Sequence, residues 1–179
     1  ATTRTAEALE KIECQTGKSV DIVVMVQGDE PLILPETIDK TIPEFQDVAV
    51  DIVNIMSRLQ TKDAFEDVNN VKVVVVNSYD ALYFSRESIP STWQHWDNVP
   101  KYMQTGVIAF RRGALIDFNA MQETQLEQIE SVDMNRVLET GGKIRMVLTE
   151  ATTIGVDVPG ELAVVEKILA SDKTMKFYL

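Results

Sequence analysis

The chain has 179 residues, 45% of them hydrophobic and 25% charged, with a formal net charge of −11. That balance suits one globular domain with a sizeable core rather than a disordered segment, and the acidic surplus argues against a nucleic-acid or acidic-membrane surface, which needs clustered lysine and arginine. No apolar run approaches the roughly 20 residues that span a bilayer, no signal-peptide layout is present, and Cys14 is the lone cysteine, so an intrachain disulfide is excluded and a reducing, cytoplasmic setting is expected.

Residues 1–14 read as a helix, with Ala6, Leu9 and Ile12 on one face and Gly17 as its stop. Residues 21–26 are rich in β-branched side chains, as in a strand buried on both faces of a parallel sheet. The run ends at Gln27-Gly28-Asp29-Glu30-Pro31, where a glycine and a proline break the ladder. Carboxylates are thus delivered at the carboxyl end of a strand, where open α/β sheets hold ligands. Pro35 suits the first turn of a helix running to about Phe45, and residues 48–59 are extended. Residues 71–76 and 81–85 are two more strands, with Asn77-Ser78-Tyr79-Asp80 as a hairpin turn between them. Residues 91–101 break the pattern and carry Trp93, His95 and Trp96; an aromatic loop of this kind packs on a partner subunit or closes over the sheet edge as a lid.

Residues 104–111 form another strand, and a short helix follows near 113–121. Thr124 opens a longer helix, with Glu127 in the capping-box position and Gly141-Gly142 as its end. Residues 143–148 are a further strand. Residues 154–159 lead into a final helix, whose Leu162, Val165, Ile168 and Leu169 make an inward face. Strands alternating with helices define an α/β fold with a mainly parallel mixed sheet flanked by helices. No repeat, low-complexity tract or linker divides residues 1–179, which are read as one domain.

Four stretches then occur in order: VQGDEPLI at 26–33, NNVKVVV at 69–75, ALYFSRESIP at 81–90 and GVDVPGEL at 155–162. Together they resemble the 3-deoxy-manno-octulosonate cytidylyltransferases (CMP-Kdo synthetases) over nearly all of the chain from about Asp21 on. The resemblance implies a nucleotide-diphospho-sugar transferase-like (Rossmann-like) fold, Mg²⁺ as cofactor and usually a homodimer. It also implies CTP and a sugar acid as substrates, with CMP-sugar and pyrophosphate as products, for bacterial lipopolysaccharide or capsule synthesis. By resemblance, Asp29 and Asp157 are the catalytic carboxylates that hold the metal. Asp29 is alternatively a plain turn residue, and Asp157 also suits the N-cap of the helix entered at Pro159. Gln27 matches a position that touches substrate, and Pro31 shapes the loop. Arg86 meets a carboxylate or phosphate bidentately, or else forms a structural or intersubunit ion pair.

Two departures from the family pattern matter. An H-x-G-x-Y pattern that helps hold the sugar acid falls on Gln104-Thr105-Gly106-Val107-Ile108, and an L-E-Q-L-R pattern falls on Val132-Asp133-Met134-Asn135-Arg136. Gln104 and Asp133 are therefore the candidate sugar contacts, against the plainer reading of an ordinary strand residue and a solvated helix residue. An altered sugar pocket is expected, because sites built to hydrogen-bond a substrate discriminate strongly. His95 does not align with the replaced histidine. The family's basic P-A-R-x-x-S-x-R-x-x-x-K phosphate loop has no counterpart, so the chain is read as an amino-terminally incomplete piece of a longer enzyme. An acidic chain handling a triphosphate must find cations in metal ions or local basic residues. The competing readings are a nucleotidyltransferase for an acylneuraminate or another sugar, and a non-catalytic nucleotidyltransferase-like dimeric binding module. A glycosyltransferase is disfavoured, since no Asp-x-Asp motif is present.

Overall fold

Strand β5 (Tyr102–Arg111) is the axis of the structure, a computed structural model that describes residues 1–151, 154–156 and 159–172. Its neighbour β2 (Ile52–Arg58) is buried along six of its seven residues and pairs antiparallel with it. Beyond β2 lies β6 (Arg145–Thr149), in parallel register. The other edge of β5 is shared by two strands placed end to end. There β1 (Ile22–Val26) pairs with residues 107–111, and β3 (Lys72–Val75) pairs with Met103 and Tyr102. Strand β4 (Ala81–Ser85) completes the sheet as a hairpin with β3, and Tyr79 takes positive φ in its turn.

The α/β class holds, but the expected mainly parallel pairing does not. Among the described ladders only β2–β6 is parallel. The reason is the position of β5. The strands β1, β2, β3 and β6 all run one way, and β5 runs against them from the middle of the sheet, so each described ladder involving it is antiparallel. A buried apolar run shows that a strand exists and carries no record of its direction. Nor is β1 buried on both faces. Of its five residues only Met25 is buried and Val26 is 43% exposed, and the doubly buried strands are β2 and β5.

The two faces of the sheet bury separate apolar groups. Ile52, Met56, Ile108 and Phe110 face the larger core with Leu9, Leu115, Phe118 and Met134. Val53 and Ala109 face Phe45 and Val50. The large core is covered by α1 (Thr2–Thr16) and α4 (Arg112–Ala120). Helix α1 ends where expected, with Gly17 in the left-handed region at φ 65° and its N–H on Glu13 O, a conformation that suits glycine.

Three helical expectations and one strand boundary need correction. The helix from Pro35 stops at Asp39 as α2 (Pro35–Asp39), and a 3₁₀ turn (Ile42–Gln46) replaces the remainder, because Pro43 disfavours helical geometry at the residue before it. The extended run from 48 becomes a strand only at Ile52. The helix from Thr124 is two helices, α5 (Gln125–Glu130) and α6 (Asn135–Glu139), parted where Ser131 adopts φ 52°. That break turns Val132 and Met134 into the core. In α7 (Pro159–Leu169) only Val165 is buried, whereas Leu162 and Ile168 are exposed. The remaining short helix, α3 (Lys62–Glu66), is capped by Thr61, whose Oγ1 accepts the Ala64 N–H. In the loop after β4, Trp96 stacks edge-on against Phe65 and lies under Lys101, while Trp93 is 86% exposed. Among the described residues, no helix is long and apolar enough to cross a membrane.

Helix α1 is tied to the start of α4 by Glu13. Its carboxylate takes Arg112 in a fork (2.8 and 2.9 Å) and the Val20 N–H at 2.9 Å. The Arg112 hydrogen bond, helped by the Val20 amide, holds the Glu13 pKa down at about 2 against an ordinary 4.5. Stability from this group is fully present above the unfolded value near 4.5 and is lost as pH falls towards about 2. Glu13→Gln is therefore expected to lower stability by a constant amount across the neutral-to-basic range and to flatten its further loss over that acid window, as read by urea unfolding followed by circular dichroism at each pH.

Candidate active site

The site forms where β1 and β3 part along the shared edge of β5. Between them, residues 104–106 expose an edge that neither strand covers. The polar loop after β1 fills this opening. Gln27 N–H donates to Gly106 O at 2.9 Å, and the Gly106 N–H donates to Glu30 Oε1 at 2.6 Å. The far side of the same segment is held by Asn54, which is wholly buried. Its Nδ2 donates to Thr105 O, Val107 O and Ile55 O across a register shift in the β2–β5 ladder. A bulge of this kind re-aims local backbone beside functional sites. Here it leaves both polar groups of Gly106 for the loop that carries Asp29.

Gly106 is glycine for lack of space rather than for its dihedrals. A Cβ there would lie 2.8 Å from Gln27 Cβ and 2.9 Å from Glu30 Cγ. The loop can seat flush on β5 only because that atom is missing. Gly106 is the one letter of the H-x-G-x-Y pattern retained in this chain, so a signal for it was present; Glu30 was likewise visible inside the QGDEP run. Asn54 had no sequence signal, because its role depends on the bulge.

Around this junction opens a cavity of about 1210 Å³, at the carboxyl ends of β1, β2 and β6. Asp29 is exposed on its lip, and its side chain has no partner among the described residues. The Asp29 carbonyl accepts the Val156 N–H at 2.9 Å, which joins the QGDEP loop to the GVDVP segment. Asp157 lies outside the described residues. Among the described residues, no group of three or more His, Cys, Asp or Glu is placed to hold a metal.

Gln27 and Gln104 line the cavity, and Gln104 Oε1 is a buried acceptor with no partner among the described residues. Asp133 lines it too, and burial pushes its carboxyl above the usual aspartate range, with Glu127 adding to the shift and Arg136 opposing it. It is therefore not a freely solvated helix residue. Pro31 is exposed in the turn after Glu30 and outside the lining. Arg86 reaches the wall, but its guanidinium is held by three main-chain carbonyls, those of Glu130, Val68 and Ser131. His95 is exposed and elsewhere.

The cavity is acidic. Eight of its lining side chains are carboxylates, against two arginines. Arg136 neutralises one of these, gripping Glu127 at 2.5 and 2.7 Å and so holding that carboxyl below the usual range. Arg58 sits 3.8 Å from Glu150, and Arg86 is committed as described.

The α/β sheet, with its acidic loop at the carboxyl end of β1 opening on this cavity, is a nucleotidyltransferase fold by its match to a solved structure. The chain is similar to a solved CMP:2-keto-3-deoxy-manno-octonic acid synthetase complexed with CTP, with a TM-score of 0.82 and 32% identity over 94% of this chain and 67% of that one. A family model described as cytidylyltransferase matches residues 1–144, and the chain belongs to that family. Relatives named 3-deoxy-manno-octulosonate cytidylyltransferase include those of Christiangramia forsetii, 38% identical over 93% of this chain and 66% of that protein, and Pelobacter propionicus, 40% identical over 80% and 61%. A third, from Geobacter metallireducens, is 38% identical over 93% and 68%. The chain thus spans about two thirds of the length of the curated relatives it matches.

Proposed function

We propose that this chain is the greater part of a cytidylyltransferase that joins CTP to a 2-keto-3-deoxy sugar acid, releasing pyrophosphate and a CMP-sugar. The observation that carries the reading is the Val156–Asp29 hydrogen bond, which brings two sequence-distant motifs to one lip of the cavity. The named relatives and the CTP complex of the structural neighbour support it. In the reaction the sugar acid's anomeric hydroxyl attacks the α-phosphorus, the bond to the β-phosphate oxygen breaks, and the hydroxyl proton leaves to solvent or a nearby base. Like charges oppose that approach, so orientation and neutralisation dominate.

The lining fits a hard cation better than it fits a bare triphosphate. Its carboxylates outnumber its arginines, and the Asp29 carboxylate is unpartnered among the described residues. Asp29 and Asp157 are the residues that would hold Mg²⁺, which takes oxygen ligands from one or two carboxylates together with substrate phosphate. Bound there, the ion would offset charge on the phosphate oxygens. Gln27, Gln104 and Asp133 would orient the substrate, and Arg86 would shape the wall. We assign the enzyme to the cytoplasm, as a homodimer supplying lipopolysaccharide or capsule synthesis, on the family resemblance.

The test is to incubate the full-length protein with CTP, Mg²⁺ and a panel of sugar acids, and to follow pyrophosphate release and CMP-sugar formation. Product from 3-deoxy-manno-octulosonate or a close analogue is expected; silence with every 2-keto-3-deoxy acid overturns the reading. Because the buried Gln104 Oε1 offers an acceptor where relatives of the H-x-G-x-Y type carry a ring, Gln104→His is expected to reorder acid preference by about tenfold while moving the KM for CTP less than about twofold. Identical acid profiles in variant and parent would remove Gln104 from the pocket.

A further inference from the structure

Beside the cavity, two cations are spent on main-chain carbonyls rather than on carboxylates. Lys72, wholly buried at the start of β3, donates Nζ to Asp67 O at 2.8 Å and to Arg86 O. Arg86 in turn spans two stretches of cavity wall. Its Nη1 holds Val68 O at 2.9 Å, next to Asn69 and Asn70, while Nε holds Glu130 O at 2.9 Å and Nη2 holds Ser131 O at 3.3 Å, next to Val132 and Asp133. The main-chain N–H of Arg86 is fixed as well, by the Glu130 carboxylate at 2.9 Å, which also takes Tyr83 and Ser85.

We propose that Lys72 is a positioning residue: by seating the Arg86 main chain and the Asp67 carbonyl, it sets the spacing between the Asn69–Asn70 wall and the Ser131–Asp133 wall of the site. This rests on the reading of that cavity as the substrate site. The physical reason is that charge-assisted bonds to carbonyls are among the stronger ones. An apolar side chain at 72 would leave the half-buried Arg86 carbonyl short of a donor and the Asp67 carbonyl held by the Asn70 N–H alone, which is costly. Burial lowers the Lys72 pKa, and Asp67 and Glu87 act the other way. Nothing in the transfer chemistry calls for an ammonium at this position; the wall geometry does.

The experiment compares Lys72→Met with Val73→Ala, a neighbouring core variant that loosens the same strand without touching the clamp, in the full-length protein with CTP and 3-deoxy-manno-octulosonate. Lys72→Met is expected to raise the KM for the sugar acid about tenfold, beyond any change in Val73→Ala at a matched loss of Tm. Equal KM values for the two variants overturn the proposal, since the effect would then be general looseness. Hydrogen exchange on the unsubstituted protein gives a second readout that needs neither turnover nor a folded variant. Amides of Asn69 and Asn70 exchanging as slowly as those of β3 support the clamp, and exchange as fast as in residues 91–97 refutes it. If no sugar acid is turned over, the functional reading fails while hydrogen exchange still decides the clamp.

Discussion

Asp29→Asn is expected to lower turnover by at least about a thousandfold while leaving the melting temperature of the full-length protein unchanged. The two halves of that expectation have separate causes. The Asp29 side chain is exposed and without a partner among the described residues, so no folding interaction is lost with its charge. Its structural bond is made by the main-chain carbonyl to Val156 N–H, and asparagine keeps that carbonyl. What disappears is an anionic oxygen donor on the lip of the cavity, the kind of ligand a hard divalent cation requires. The checks are pyrophosphate release across a Mg²⁺ titration and a thermal melt. Near-normal turnover would strike Asp29 from the metal site, and a collapsed melt would show that its charge serves the fold.

Gly106→Ala is expected to cost about a hundredfold in turnover and about 1–3 kcal/mol in stability. The added Cβ would lie 2.8 Å from Gln27 Cβ and 2.9 Å from Glu30 Cγ. Both atoms sit near the main chain of the loop, so the loop itself must lift. Lifting it breaks the pair of bonds on which the loop rests, Gln27 N–H to Gly106 O and Gly106 N–H to Glu30 Oε1. Asp29 moves with it. A matched control is Gly113→Ala in α4, where a Cβ meets nothing within 4 Å, and a gain of about 0.5 kcal/mol is expected from the helix itself. Urea midpoints and kcat for the two variants separate glycine loss in general from the contact at Gly106. Parental turnover in Gly106→Ala would mean that the loop's seat on β5 has no part in the chemistry.

The legible parts of the chain are those whose evidence is local. Strand β4 kept its predicted bounds of Ala81–Ser85, and α1 stopped at Gly17, because adjacent aromatic strand formers (Tyr83 and Phe84) and a left-handed glycine act over a few residues. The QGDEP run was recognisable, and its place at the end of a strand followed from the apolar run before it. The helix from Thr124 was read as continuous because Leu126, Ile129, Met134, Val137 and Leu138 partly keep a helical period, and the period does not show that Ser131 turns left-handed to bury Val132. Arg86 was read as a side chain free to bind an anion or form an ion pair. Its engagement by Val68, Glu130 and Ser131 carbonyls depends on segments 18, 44 and 45 residues away.

Amino-acid order alone therefore determined roughly which stretches are strands and helices, which loop carries the carboxylates, and to which family the motifs point. These follow from short-range sterics and from residues that lie next to one another. The tertiary structure alone decided the direction of β5, the bulge at Asn54 that presents Gly106, the bond from Val156 to Asp29, and the burial of Lys72 between two carbonyls. These depend on contacts between segments that, Lys72 and Asp67 aside, are far apart in the chain, and their energy exists only once the sheet has closed and water has been driven from the groups involved.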